Sequence, residues 1–347
     1  MSSALVECVP NISEGRDLNK INQIVNAARS IDGCHVLGVE PDHDYHRTVI
    51  TLAGEPLAVR SGAVALIREA VKILDMRNHS GEHPRMGVVD VCPFVPLRNM
   101  TMEDCAELAR HVVADLASTE KVPLFLYGAA ATHPDRMLLS NLRKGEYEEL
   151  ESRFTGANER HSPTTMKPDD GATEWSENVA RSGGITIGAR PILVAYNVNL
   201  AEKGAHVAKK VGSLVRSSGR LIKSPTGVRM RTGGLLQKVQ GMGVDLEELG
   251  ISQVSMNLID VELCPIHQAY ETVRSVAADH AVDADGSELV GLVPLSAMLE
   301  AGSFYNPDTQ DEQTLVHAAI EGLGLDRHHR FDPEESIIEW ALEKVSQ

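Results

Sequence analysis

From Leu5 onward, apolar strand-like runs and amphipathic helical runs follow one another in the order β-α-β-β-α-β, and alternation returns near residue 191. Residues 5–12 read as a strand, and Ser13-Glu14-Gly15-Arg16-Asp17 as a turn and cap. The helix that follows sets Ile21, Ile24, Val25 and Ala28 on one face. Gly33 ends it. Residues 35–40 and 46–52 read as strands, the second rich in β-branched side chains. A helix over 57–74, a strand over 88–95, a helix capped by Thr101 and a strand over 123–127 complete the first set. The second set runs through a strand at 191–200, a helix carrying Val207, Val211 and Val215, and strands at 238–244 and 253–260. A helix at 265–278, a strand at 289–294 and a mostly helical tail over 313–347 follow. The corners Asn11-Ile12-Ser13-Glu14 and Asn199-Leu200-Ala201-Glu202 are alike, which hints at duplicated halves. The expected fold is α/β (α+β): two ferredoxin-like β-α-β-β-α-β subdomains with mixed sheets, plus C-terminal helices. The boundary is set at 1–180 and 181–347, with the polar stretch 148–184, which holds Asp169-Asp170-Gly171, read as a linker or long functional loop.

Charge and composition remove several function classes. The formal net charge of −16 leaves no basic face for general nucleic-acid binding, and 4% aromatic residues give little surface for stacking single strands. No apolar run approaches the ~18 residues of a membrane span. The start of the chain shows no basic-then-apolar leader. Five scattered cysteines without a C-x-x-C pair indicate reduced, buried thiols and a cytoplasmic protein. Neither G-x-G-x-x-G after the first strand nor a Walker sequence is present, so nucleotide cofactors gain no support.

Polar residues gather at four places. The densest is His79-Ser80-Gly81-Glu82-His83-Pro84-Arg85-Met86-Gly87, with Glu40-Pro41-Asp42-His43-Asp44-Tyr45-His46-Arg47 beside another strand. His79 to His83 matches H-x-x-E-H, but Gly81 and Pro84 oppose the helix that zinc chemistry needs, and no metal is expected. A histidine that carries a proton fits better, its tautomer set by Glu82, Glu40 or Asp44. The third place is the stretch Arg181-Ser182-Gly183-Gly184-Ile185-Thr186-Ile187-Gly188-Ala189-Arg190. Exposed amides at Gly183 and Gly184 there could approach a planar ring or an anion. Asn197 and Asn199, two apart, share a strand face. Residues 216–238 form the fourth, with six basic side chains and no acid, a solvated loop or a landing strip for a carboxylate ligand.

The strings Leu5-Val6-Glu7-Cys8-Val9-Pro10-Asn11-Ile12-Ser13-Glu14-Gly15, Arg47-Thr48-Val49 and Gly81-Glu82-His83-Pro84-Arg85-Met86-Gly87 resemble the glutamate formiminotransferases. So do Asp90-Val91-Cys92-Pro93-Phe94, Gly145-Glu146-Tyr147-Glu148, Gly188-Ala189-Arg190, Lys238-Val239-Gln240-Gly241 and Leu289-Val290-Gly291-Leu292-Val293-Pro294. The resemblance spans essentially the whole sequence, which is longer than the family pattern between residues 151 and 184. It implies transfer of a formimino group from N-formimino-L-glutamate to N5 of tetrahydrofolate in histidine degradation, by a cytoplasmic homodimer. Ligand is then expected between two α/β subdomains, and the chain to be monofunctional, without the cyclodeaminase part of fused members. The family's catalytic histidine falls on His83 and its strand-end carboxylate on Glu40, with Arg47 beside them. The folate loop falls on residues 174–184, giving Ser182, Gly183 and Gly184. Asp44, His46, Glu82, Arg85, Thr186, Arg190, Asn197 and Asn199 complete the candidate binding residues. The partners implied are formiminoglutamate and a reduced folate, polyglutamylated or not, with neither nucleic acid nor membrane. Two readings share these residues: a 5-formyltetrahydrofolate–glutamate formyltransferase, and a folate-binding protein without turnover.

Overall fold

The computed structural model describes residues 4–43, 45–81, 83–246 and 249–345. Asp44 and Glu82 lie outside the described residues. Contacts divide the chain into two units, one ending at Pro191 and the other starting at Ile192.

In the first unit, β1 (Val6–Cys8) and β2 (Asn11–Ile12) are one strand interrupted around Pro10, which has no N–H to give. The ladder still crosses the gap, because the Ile50 amide donates to the Pro10 carbonyl at 2.9 Å. β3 (Cys34–Asp42) pairs with β4 (Arg47–Gly54), β4 with β1 and β2, and these with β5 (Val89–Pro96), all antiparallel. The order β5, β1/β2, β4, β3 is the ferredoxin-like arrangement expected. Helices α1 (Leu18–Arg29) and α2 (Pro56–Ile73) make the two crossovers. α3 (Met102–Ala117) starts in a capping box between Thr101 and Asp104. Residues beyond the minimal fold widen the sheet. β8 (Ile185–Ala189) lies parallel between β5 and β6 (Pro123–Gly128), and β7 (Asp170–Gly171) pairs antiparallel at the edge. Ile24, Ile67, Leu108 and their neighbours bury one sheet face beneath the helices, Phe94 among them. Truncating a side chain such as Phe94 to Ala costs about 3–5 kcal/mol.

The stretch 148–184 is not a linker. It folds as short helices, including Leu150–Thr155 and Glu177–Ser182, and buries Leu150 with Met86, Phe125 and Tyr127 in a second small core. Arg153, 1% exposed, donates to the carbonyls of Leu142 and Thr165 and lies 4.7 Å from the Phe125 ring centroid. Asp169 accepts the Leu126 amide at 2.8 Å and pairs with Arg136, so Asp169-Asp170-Gly171 is an edge-strand anchor. Because β8 completes this sheet, the unit boundary falls at 191/192 rather than at 180/181.

The second unit repeats the arrangement. β9 (Val194–Leu200) is followed by the hairpin β10 (Leu221–Lys223) and β11 (Arg229–Arg231), then β12 (Val239–Leu246), β13 (Ile251–Leu258) and β14 (Ala284–Val290). The sheet runs β12, β13, β9, β14, antiparallel throughout, whereas the first sheet is mixed. β14 spans Ala284–Val290 and stops short of the expected end at 294, because Gly291, with φ +77°, turns the chain out and Pro294 takes the N-cap of the next helix. Helices His206–Val215 and Ile266–Ala278 cross between strands, and Leu295–Tyr305, Glu312–Leu323 and Ile338–Val345 form the tail. Among the described residues no helix is long and apolar enough to cross a membrane.

Candidate active site

Strand alternation sorts the first sheet into two faces. Val6, Cys8, Ile12, Ile50 and Leu52 point to the helices, so Asn11, Arg47 and Val49 point to the other side. Glu40 lies across from Val49 and Asp42 across from Arg47, which puts both acids on Arg47's face. A bulge adds one more group there. Asn11 pairs with Val91 but Ile12 with Val89, so Asp90 is the unpaired extra residue, re-aimed as bulges allow. Asp90 is buried, accepts the Met86 amide at 3.0 Å and pairs with Arg143. Arg47 donates from Nη1 to Asn11 Oδ1 at 3.0 Å.

His83 reaches this patch on the loop between α2 and β5, which is tied down by side chains. Gly81 is required there, because a Cβ would sit 2.6 Å from both His46 Cβ and the Tyr45 carbonyl oxygen. The His83 amide faces the Tyr45 carbonyl at 3.4 Å. His46 holds the left-handed φ of +51°. Its Nδ1 faces the Ser80 carbonyl at 2.8 Å and its Nε2 faces Glu14 Oε1 at 3.1 Å. The His79 ring stacks on it at 4.3 Å between centroids. His79 donates from Nε2 to the His46 carbonyl at 2.8 Å and accepts from Arg85 Nε at Nδ1, 3.1 Å, which fixes one tautomer. Arg85 then forks onto Glu148, 2.8 Å from Nη1 and 2.7 Å from Nη2, with Glu146 at 3.4 Å. The Gly145–Glu146 turn, with both φ values positive, folds these two acids around it. A depression of about 480 Å³ is lined by His79, Arg85, Glu146, Glu148 and Arg160 among others.

The electrostatics follow from burial and two cations. Burial first, then Arg47 and Arg143, with lesser effects of His79 and Arg85, push the His83 imidazolium down to about 3. His83 is therefore neutral near pH 7, and among the described residues its ring has no hydrogen-bond partner. His79 is also lowered, by burial first and then by the charges of His46 and Arg85, against its backbone hydrogen bond. Burial raises Glu40 against the pull of Arg47. For Glu14 burial works against the charge, but the Asp17 and Arg16 amides and His46 outweigh it and hold the carboxyl low. A neutral imidazole in a half-buried patch that also carries two guanidiniums and a carboxylate can accept a proton from a substrate held by charge.

The chain matches two family models end to end. Residues 5–190 match the formiminotransferase domain, N-terminal subdomain, and residues 195–343 the formiminotransferase domain. The chain belongs to the formiminotransferase family. The division between the two matches falls where the structural units meet in sequence. Among relatives, the rat formimidoyltransferase-cyclodeaminase is 40% identical over 98% of this chain, which spans 60% of that protein. The glutamate formimidoyltransferases of Streptococcus pyogenes serotype M1 and Thermoplasma acidophilum are 34% and 38% identical, each over 87% of this chain and 93% and 92% of their own length.

Within this formiminotransferase chain the expected site residues separate into groups. His83, Glu40, Arg47 and His46 belong to one unit and one corner of it. Arg85 is there too, but its fork is occupied by Glu148 and its Nε by His79, so it holds the His83 loop. Gly183 and Gly184 do not expose their amides. These donate to Val179 at 2.8 Å and Met86 at 2.9 Å, and the glycines serve close packing. A Cβ on Gly183 would meet the Met86 carbonyl oxygen at 2.3 Å. Ser182 is buried and donates to the Gly183 carbonyl at 3.0 Å, and Thr186 to that of Asp90. Arg190 ends the same strand, its Nη1 on the Pro191 carbonyl at 3.0 Å. Asn197 and Asn199 are buried in the second unit, where Asn199 accepts from Gln253 at 3.0 Å. The basic stretch forms the exposed β10–β11 hairpin. Sequence reasoning missed Arg143, Asp90, Glu14 and His79 as individual parts. Arg143 stands two residues before the quoted Gly145-Glu146-Tyr147-Glu148 string, but nothing in its own sequence surroundings marks it out. Among the described residues no group of three or more His, Cys, Asp or Glu is arranged to hold a metal ion.

Proposed function

We propose that this chain is a glutamate formimidoyltransferase, moving the formimino group of N-formimino-L-glutamate to N5 of tetrahydrofolate. The observation that carries this reading is His83: neutral, half-buried, without a ring partner among the described residues, and set on the Gly81–Gly87 loop beside Arg47 and Glu40 in a chain of the formiminotransferase family. The donor amidine is cationic, so its carbon is electrophilic and Glu40 offers it a counter-charge. N5 attacks that carbon, and the C–N bond that forms gives a tetrahedral intermediate. His83 takes the N5 proton. The bond from carbon to the glutamate nitrogen then breaks, and His83 returns the proton to that nitrogen, leaving glutamate and 5-formiminotetrahydrofolate. Acid–base work of this kind contributes about 10²–10⁴-fold, and holding two substrates in line supplies more.

A homodimer in the cytoplasm accords with the family resemblance, and the five cysteines, all free and buried, suit a reducing compartment. Light scattering on the purified chain tests the dimer. The function is tested by following transfer from formiminoglutamate and from 5-formyltetrahydrofolate with wild type and His83→Asn. Formimino transfer that collapses in the variant supports the reading. No transfer by wild type, or full activity in His83→Asn, sinks it.

A further inference from the structure

Among the described residues, three buried side-chain polar atoms have no hydrogen-bond partner: Arg47 Nε, Arg143 Nε and His267 Nδ1. Buried donors are seldom left unpaired, because each costs about 1–3 kcal/mol. Two of the three belong to guanidiniums that converge on His83.

The sheet explains the convergence. Arg47 is held by Asn11, and Arg143 by Asp90. Asn11 pairs directly with Val91, the neighbour of Asp90, so the two grips are adjacent points on β2 and β5. Both cations act on His83, Arg47 ahead of Arg143, and Arg47 also feels Asp90. Each guanidinium has one edge fixed to the protein and its Nε–H unused. Arg85 is the contrast: its Nε donates to His79 and its Nη groups to Glu148. Two planar donors held from neighbouring strands, each with an unused Nε–H, suit one planar anion with two oxygens.

We propose that Arg47 and Arg143 together form the subsite for a carboxylate of the amino-acid donor, one carboxylate oxygen on each Nε–H. The proposal rests on the functional reading above for the identity of the donor, but the subsite itself does not require turnover. It has a consequence for catalysis. The two cations that oppose protonation of His83 are those the carboxylate neutralises, so donor binding strengthens the base. In the free protein His83 faces Arg47, Arg143, His79 and Arg85, and is a weak base. An arriving anion changes the sign of its nearest field.

The probe is glutarate, which carries the dicarboxylate but no formimino group. Calorimetry gives its Kd for wild type, Arg47→Gln, Arg143→Gln and a surface control, Arg68→Gln on α2. NMR follows the His83 ring, assigned by its loss in His83→Asn, against pH with and without glutarate. Arg143→Gln strips the buried Asp90 of its partner, so Arg143→Lys is made beside it to keep a cation there while losing the guanidinium fork. We expect Kd to rise at least tenfold in the Arg47 and Arg143 variants, with the control unchanged. The His83 resonance is expected not to titrate between pH 5 and 8 alone, and to begin titrating when glutarate saturates. Unchanged affinity in Arg47→Gln and Arg143→Lys, or a His83 titration that glutarate does not move, overturns the subsite. If formimino transfer is intact while glutarate affinity ignores both arginines, the subsite falls and the function stands. If glutarate binds through both arginines but no transfer occurs with any donor, the subsite stands and the function falls.

Discussion

The first strand-to-helix corners of the two units are built alike and end differently. Glu14 follows β2 and accepts the amides of Arg16 and Asp17 at the entrance to α1. Glu202 follows β9 and accepts the amides of Val207 and Ala208 in the first turn of the next helix. In each unit a hydroxyl on the neighbouring strand turns to the same corner: Thr48 donates to the Glu14 carbonyl at 2.5 Å, and Ser252 to the Glu202 carboxylate at 3.1 Å. An asparagine stands three residues before each glutamate. Asn199 accepts from Gln253, whose amide also reaches Glu288, so that polar set satisfies itself. Asn11 instead receives an arginine whose Nε is left over, and Glu14 receives His46, which helps hold the loop of His83. One scaffold thus gives a closed polar network in one unit and unused donors in the other. Unused buried donors are what a ligand needs, so the proposed chemistry is assigned to the first corner.

The largest expected difference between the corners is in rate. His83→Asn should reduce formimino transfer by about 10²–10⁴-fold with the urea midpoint nearly unchanged, since the ring bonds to nothing described. Asn199→Ala should do the reverse, lowering stability by about 1–2 kcal/mol as Gln253 loses its acceptor. Steady-state kinetics and urea denaturation on both variants decide it. Equal losses of rate would erase the distinction.

Arg85 comes next, because it makes the loop rather than the chemistry. Arg85→Gln should cost about 2–3 kcal/mol by removing charge-assisted hydrogen bonds to Glu148 from a buried position. Arg85→Lys should recover part of this, a point charge being unable to fork onto Glu148 and reach His79 together. Should both variants match wild type in urea, the clamp described for the His83 loop is wrong.

The ferredoxin-like order was legible because burial of one sheet face imposes period-two and period-3.6 patterns that survive in single sequences. The proposed role of His83 came from the resemblance carried by the Gly81–Gly87 string, not from any pattern of burial. The role of Gly183 and Gly184 was not, because a glycine that exposes an amide and one that lets Met86 approach look identical in sequence. Stretch 148–184 misled for a related reason. Its buried members include Arg153 and His161, polar residues satisfied by carbonyls, so it lacks the apolar signature of packed structure. Arg143 was invisible because its importance lies in a bulge at Asp90, and a bulge is a matter of register between strands.

A smaller contrast lies in pH dependence. His79, His83 and His161 in the first unit are all held below their ordinary range, with burial the leading cause, against His267 in the second. A depressed histidine stays neutral in the fold while the unfolded chain takes up a proton below pH ~6.5. Stability is therefore full above that pH and declines as it falls, down to about 3 for His83. Glu14 and Glu148, also lowered, give stability present above pH ~4.3 and lost as pH falls through their folded values. Native-state hydrogen exchange at pH 7.5 and 5.5, corrected for intrinsic exchange, should show the slowest amides of the first unit losing more protection. Equal losses in both units would remove this difference.

The smallest effect is expected where the second unit departs most from the first. The units lengthen different connections: residues 74–88 carry His83 in the first, and residues 216–238 carry the β10–β11 hairpin in the second. Every residue of both hairpin strands is exposed, and none belongs to the core of its unit. A two-stranded hairpin alone is marginal in water, so it takes its order from its base and adds little to it. That base is closed already, with the Thr232 amide on the Arg220 carbonyl at 2.9 Å. Replacing residues 221–231 with Asn-Gly should therefore shift the unfolding free energy by no more than about 0.5 kcal/mol, the range of surface changes. Urea denaturation checks this directly. A loss of several kcal/mol would mean that the hairpin supports the second unit as the His83 loop supports the first, and that the two elaborations are equivalent after all.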